Sequence, residues 1–147
     1  MDLTDNLVRQ IGLVYRAMMR ALDAETTPMR MGSGRFSYLF MLYISEGITQ
    51  QEMAQRLRTD KAAVARTLAQ LEVQGYIERR NDPADGRVTR VYLTDKSRRM
   101  RADLEAAVQR VIDRLIGDRD PQTQAVVEQA LSEMLEHLEP DAPNSHS

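Results

Sequence analysis

The chain has 147 residues, 20 Lys and Arg against 22 Asp and Glu, a formal charge of -2, 42% apolar residues, and neither Cys nor Trp. This length suits one domain, or two small lobes sharing a core, and the apolar content argues against wholesale disorder. The lack of cysteine excludes a disulfide framework, a thiolate zinc site and a thiol switch, as fits a reducing cytoplasm. The longest apolar run, Tyr38 to Ile44, falls well short of the roughly 20 residues of a membrane span. The acidic start, Met1 to Asp5, lacks the basic-then-apolar pattern of a secretory signal, so no membrane partner is expected.

From Leu3 to Leu22 the apolar residues Leu3, Leu7, Ile11, Val14, Met18 and Leu22 recur at helical spacing and predict a long amphipathic helix, broken at Thr26-Thr27-Pro28. Met31-Gly32-Ser33-Gly34 reads as a flexible connector. Arg35 to Ser45 is apolar nearly all round and reads as a buried helix closed by Gly47. Thr49-Gln50-Gln51-Glu52 has the form of a capping box and starts a helix of about two turns. Arg58-Thr59-Asp60 then carries a second cap, and a helix runs from Lys61 to about Gln74 with Val64, Leu68 and Leu71 inward and Gly75 at its end. The pair has the proportions of a helix-turn-helix.

Tyr76 to Arg80 and Val88 to Leu93 are strand-like around the turn formers Asn81 to Gly86, predicting a hairpin with a long tip. Thr94-Asp95 caps one more long helix, striped by Met100, Leu104, Val108, Val111, Ile112 and Leu115 and ended by Gly117. Asp120-Pro121 opens the last helix, striped by Val126, Val127, Ala130, Leu131, Met134, Leu135 and Leu138. From Glu139 onward a polar tail is expected to be disordered. No 20- to 50-residue period repeats, which excludes solenoids. The terminal stripes lack a sufficient partner within one chain, so a symmetric homodimer is expected.

Charge is distributed unevenly. Thr49 to Arg101 holds 12 basic and 7 acidic residues, a balance of +5, and the remainder has 8 basic and 15 acidic, a balance of -7. A basic lobe on an acidic frame is what displacing counterions from phosphates requires. Arg accounts for 18 of the 20 basic residues; its planar fork suits phosphate and guanine, although Arg-rich codon usage explains the bias equally well.

The run Ile48 to Leu57, then Asp60 to Arg66, Leu71 to Arg80, and Asp82-Pro83-Ala84-Asp85-Gly86-Arg87 through Val91-Tyr92-Leu93-Thr94, resembles the MarR (multiple antibiotic resistance regulator) family of winged helix-turn-helix repressors. The most specific element is the wing, Asp-Pro-x-Asp-x-Arg followed by Leu-Thr. The resemblance implies a mainly α, α+β winged-helix fold in a single MarR-type domain over residues 1–138. Dimerisation helices would occupy about 1–24 and 95–138, the DNA-binding lobe about 35–94, and the disordered tail 139–147. It also implies a triangular homodimer with the Lys61–Gln74 helix in the major groove and the wing at the minor groove.

The residues expected at double-stranded DNA are Thr59, Lys61, Ala62, Ala63, Arg66, Gln70, Asp85, Arg87 and Arg90. Arg66 suits a bidentate guanine contact, and Ala62 and Ala63, where many relatives carry Ser or Thr, suit thymine methyls. Arg87 matches the family's minor-groove arginine and Asp85 the acid that orients it; a solvent-facing turn pair is the other reading. Many members sense a small aromatic, phenolic or anionic effector. Tyr15, Arg16, Arg20 and Tyr38 could stack a ring and pair a carboxylate, or serve as core residues and salt bridges. The function implied is a cytoplasmic repressor binding a pseudo-palindromic operator and released by effector; the alternative is a winged-helix protein-interaction module with no operator.

No Gly-x-Gly-x-x-Gly, Walker-type or His-Glu-x-x-His motif is present, and His137 and His146 are the only histidines, so neither an enzyme, a cofactor nor a metal site is expected. Nine methionines admit an oxidation-sensing role, with core filling as the simpler one.

Overall fold

The computed structural model describes residues 6–32 and 34–140. The order is α1 (Leu7–Thr26), a 3-10 turn (Thr27–Met29), α2 (Phe36–Ile44), α3 (Gln50–Arg56), α4 (Lys61–Val73), β1 (Ile77–Asn81), β2 (Thr89–Leu93), α5 (Asp95–Arg99), α6 (Arg101–Ile116) and α7 (Pro121–Leu138). This is the mainly α, winged-helix arrangement expected. The predicted start of the first helix at Leu3, and the tail from Asp141, lie outside the described residues.

Side-chain caps fix most helix starts. Oδ1 of Asn6 accepts from the Arg9 N–H, Asp60 from Ala63 and Asp120 from Thr123, each satisfying an orphan donor of a first turn. Thr49 and Glu52 form a complete capping box. Helix α4 ends in a Schellman motif: Gly75, at φ +76°, donates to the Glu72 carbonyl, and Tyr76 donates to that of Leu71. Tyr76 therefore belongs to the helix end, and β1 begins one residue later than the sequence suggests.

The core joins α2, α3, α4, the hairpin and the start of α6. Leu39, Leu42, Met53, Val64, Leu68, Leu71, Ile77, Val91 and Leu104 are all fully or almost fully buried within it. Two expectations about its edge are corrected. Met31 is not part of a flexible connector: it is fully buried, and its loop is pinned by Gly34 N–H donating to Asp23 Oδ1 at 3.1 Å and by Tyr76 Oη donating to the Met29 carbonyl. Nor is α2 buried all round, since Ile44 at its end is 80% exposed.

β1 and β2 pair antiparallel with Arg79 opposite Val91. Beyond β2 the chain before α3 adds a short third rung. The Gly47 N–H donates to the Val91 carbonyl, the Val91 N–H donates to the Ile48 carbonyl, and Thr49 bridges to Arg90. Gly47 is required there, because its φ is +81° and a Cβ would lie 3.3 Å from the Tyr92 ring. On the outer side of β1, Glu72 accepts from the Arg79 backbone N–H at 3.0 Å and from its guanidinium at 2.8 Å.

The single long helix predicted after Thr94 is two helices, α5 and α6, which meet at Met100. Tyr43 Oη donates to the Ser97 carbonyl at 2.8 Å, so a side chain from α2 enters the helical hydrogen-bond ladder next to the break. Burial pushes the Tyr43 phenol up to about 12, keeping that donor protonated.

Helix α1 packs on α6, and Arg110 Nε reaches Glu25 at 2.7 Å between them. Helix α7 has no buried residue: Val126, Val127, Leu131, Leu135 and Leu138 are all exposed, as are Leu7, Val8, Ile11 and Val14 of α1.

The Glu52 carboxyl is held below its ordinary value, first by the Thr49 backbone N–H and then by the Thr49 hydroxyl. A depressed carboxylate contributes stability above its unfolded-state pKa and loses it as pH falls through the folded value. Thr49→Ala is expected to lower the unfolding free energy by about 1 kcal/mol near neutral pH. Urea titrations should show the wild-type advantage shrinking in acid below the ordinary glutamate value of 4.5.

Candidate nucleic-acid interface

Because Val64, Leu68 and Leu71 anchor α4 in the core, helical geometry turns Lys61, Ala62, Arg66 and Gln70 outward, where all four are exposed. Ala63 is half-buried, and Thr59 is exposed in the turn before the helix. That turn is tight: Arg58 adopts φ +50° and Thr59 donates back to the Ala54 carbonyl. Lys61 opens α4, and Arg66 and Gln70 lie four residues apart on one face.

The wing is rigidified by its own acids. Asp82 Oδ1 accepts from the Ala84 N–H at 2.7 Å, and its other oxygen pairs with Arg90 Nε. The Arg90 Nη1 also donates to the Gly47 carbonyl at 2.9 Å, tying the wing's base to the loop before α3. At the tip, Asp85 Oδ1 accepts from both the backbone N–H and Nε of Arg87 at 3.1 Å, and Oδ2 accepts from Nη2 at 3.3 Å. These hydrogen bonds, from the Arg90 guanidinium and the Arg87 guanidinium respectively, hold the Asp82 and Asp85 carboxyls below their ordinary value. The Arg87 side chain remains 91% exposed. Between wing and helices lies a cleft of about 440 Å³, lined by Thr49, Gln50, Gln51, Glu52, Lys61, Arg87, Val88 and Thr89. Its cationic lining residues, Lys61 and Arg87, suit a polyanionic backbone.

A family model for the MarR family matches residues 33–89, the span from the loop before α2 to the start of β2. Over this span the chain is similar to the MarR family. A MarR transcriptional regulator from Methanosarcina mazei superposes with a TM-score of 0.83 at 28% identity, covering 89% of this chain and 94% of that one. A mutant MarR from E. coli, solved in complex with operator DNA, superposes with a TM-score of 0.83 at 26% identity, over 92% of this chain and 99% of that one. In sequence, an uncharacterised HTH-type transcriptional regulator of Bacillus subtilis, YybA, is 26% identical over 65% of this chain and 64% of its own length. A second from the same organism, YdgJ, is 40% identical over 46% of this chain and 42% of its own length. The chain thus spans between about two fifths and two thirds of the length of these curated relatives.

The winged lobe brings Lys61 and Arg87 to one cleft, with Asp85 as the brace of Arg87, and leaves Thr59, Ala62, Arg66 and Gln70 exposed. Arg90 is placed differently from the sequence expectation: its guanidinium is engaged by Asp82 and Gly47, so it supports the wing. The four residues expected around an effector lie in two settings. Tyr38 is in the hydrophobic core, whereas Tyr15, Arg16 and Arg20 lie exposed on α1, and none of the four lines the cleft above. Among the described residues no group of His, Asp and Glu could hold a metal ion. Sequence reasoning missed Arg35, which bonds to Gln70 on α4 and to Gln74 at its C-cap. The available signal was a cation at the N-cap of α2, where the helix dipole disfavours it unless something else holds the side chain.

Asp82→Asn is expected to free Arg90 and loosen the wing, so that amide hydrogen exchange accelerates from Ala84 to Val88 while α4 is unaffected. In the wild type the same acceleration should set in as pH falls below the ordinary aspartate value of 3.8, because a depressed carboxylate loses its ion pair on protonation.

Proposed function

We propose that this chain is a homodimeric repressor of the MarR family that binds a pseudo-palindromic double-stranded operator, acts in the cytoplasm, and is released by a small aromatic or phenolic effector. The observation that carries the DNA reading is the wing-tip arginine, Arg87, presented to solvent, aimed by Asp85 and sharing a cleft with Lys61 at the start of α4. Helix α4 would enter the major groove with Arg66 on a guanine edge, and Arg87 would enter the adjoining minor groove. Thr59 and Lys61 would contact backbone phosphates. The mutant MarR from E. coli, a relative solved in complex with operator DNA, supports the same reading.

The dimer is supported by the apolar faces of α1 and α7, which one chain leaves uncovered. A twofold dimer would set its two α4 helices about one helical turn of DNA apart, roughly 34 Å, and so favour an inverted repeat. The effector reading is supported by Tyr15, Arg16 and Arg20, which offer a ring and two cations on exposed α1. Tyr38 would take part only if core packing opened. Release requires the effector to favour one dimer geometry over the other.

The test begins with selection of bound genomic fragments by the purified protein. Arg66→Ala is expected to weaken binding to the selected operator by about tenfold or more at fixed salt, and Arg87→Ala to weaken it while the fold is retained. Unchanged affinity in both variants would falsify the mechanism. If no fragment is enriched, the winged helix serves protein contacts instead. Leu131→Asp should shift the dimer toward monomer in light scattering, because it places a charge in the unpartnered stripe of α7. Titration with a panel of aromatic and phenolic acids should lower operator affinity if the effector arm holds.

A further inference from the structure

Arg35 stands at the N-cap of α2 and is directed at α4. Its Nη1 donates to the Met31 carbonyl at 2.9 Å and to Gln74 Oε1 at 3.1 Å, and its Nη2 donates to Gln70 Oε1. A guanidinium has donors and no acceptor, so both carboxamides can meet it only through oxygen. The amide orientation at Gln70 and Gln74 is therefore dictated by Arg35, and their Nε2 groups are left to face elsewhere.

We infer that Arg35 is a positioning residue for base specificity, which makes the exposed face of α4 a reader of hydrogen-bond acceptors. The inference rests on the operator-binding reading above. An unrestrained Gln can pair bidentately with adenine, accepting from N6 and donating to N7. At Gln70 the accepting oxygen is occupied, and the adjacent positive charge opposes a second approaching donor. What remains is the Nε2 donor pair, which matches O6 and N7 of guanine. The rest of the face agrees. Lys61 and Arg66 are donors only, Ala62 and Ala63 offer methyl groups, Asp60 is used by the Ala63 N–H, and Glu72 is engaged by Arg79. Along α4 from Lys61 to Gln70 the half-site bases in contact should present acceptors and thymine methyls, hence guanine and thymine. Among the exposed side chains of that stretch, Lys61, Ala62, Arg66 and Gln70, adenine N6 and cytosine N4 amino groups find no free acceptor.

The experiment selects a half-site from random duplexes with the wild-type protein, then measures affinity for every single-base variant with wild type, Arg35→Met, Gln70→Ala and the double variant at fixed salt. Thermal melts verify folding. At the position sensitive to Gln70→Ala, wild type should prefer guanine, and Arg35→Met should move the preference toward adenine by about tenfold, the scale of one bidentate contact. In the Gln70→Ala background the Arg35→Met substitution should no longer alter base preference. A uniform loss across all bases, equal in both backgrounds, makes Arg35 a phosphate contact or a structural brace and overturns the inference while leaving the operator reading intact. No selected half-site at all overturns the operator reading first. If Arg35→Met fails to fold, the wild type still decides: 7-deazaguanine at the Gln70-dependent position should weaken binding, and an adenine preference at that position overturns the inference.

Discussion

Tyr76 is the junction through which the lobe holds together. Its backbone N–H closes the end of α4 on Leu71, its carbonyl accepts from the Thr94 N–H and from Ser97 Oγ, and its hydroxyl reaches back to Met29. The Lys96 ammonium lies 3.8 Å from its ring centroid and donates to the Gln74 carbonyl, satisfying another orphan acceptor at the end of α4. A single nearly fully buried side chain thus ties the loop after α1, the helix that faces outward, and the start of the helix leading away from the lobe. The angle at which α4 is presented depends on that junction, and with it the register of Lys61, Arg66 and Gln70.

The parts of the fold that were legible in sequence are those governed by local chemistry. Thr49 with Glu52, Asp60, Gly75 and Asp120-Pro121 each mark a helix boundary through a residue's own hydrogen bonding or its tolerated φ, and each occurs where the residues say. The break at Met100 could not be read, because no Gly or Pro marks it and the interrupting hydroxyl comes from Tyr43, distant in sequence. Met31 looked mobile beside two glycines, yet its side chain is sealed within the core. The site divides the same way. Arg66 and Arg87 follow from periodicity and the wing motif, whereas the inward engagement of Arg90 and the reach of Arg35 depend on partners that only tertiary packing supplies.

The uneven charge acquires a finer meaning from its pairings. Within the +5 segment, Arg58, Arg79, Arg80, Arg90, Arg98 and Arg101 each pair with a carboxylate, and Glu139, Glu46 and Glu105, which meet Arg58, Arg98 and Arg101, come from outside that segment. The acidic remainder therefore neutralises part of the basic lobe. Lys61 and Arg66 on α4 are exposed, and at the wing tip Arg87 is paired with the acid that aims it. A net charge near zero is compatible with exposed cations on α4 and the wing because the cancellation is local.

The bond between Glu72 and the Arg79 backbone N–H has a consequence for how copies of the chain can meet. A two-stranded hairpin offers its outer edges as templates for further strands, a common route to unintended association. Here the β2 side is covered by the rung from Gly47 to Thr49, and the β1 side has a donor already taken by a carboxylate of the neighbouring helix. The wing is closed to strand addition on both flanks. The exposed apolar surface open to another chain lies instead on the terminal helices α1 and α7, away from the wing.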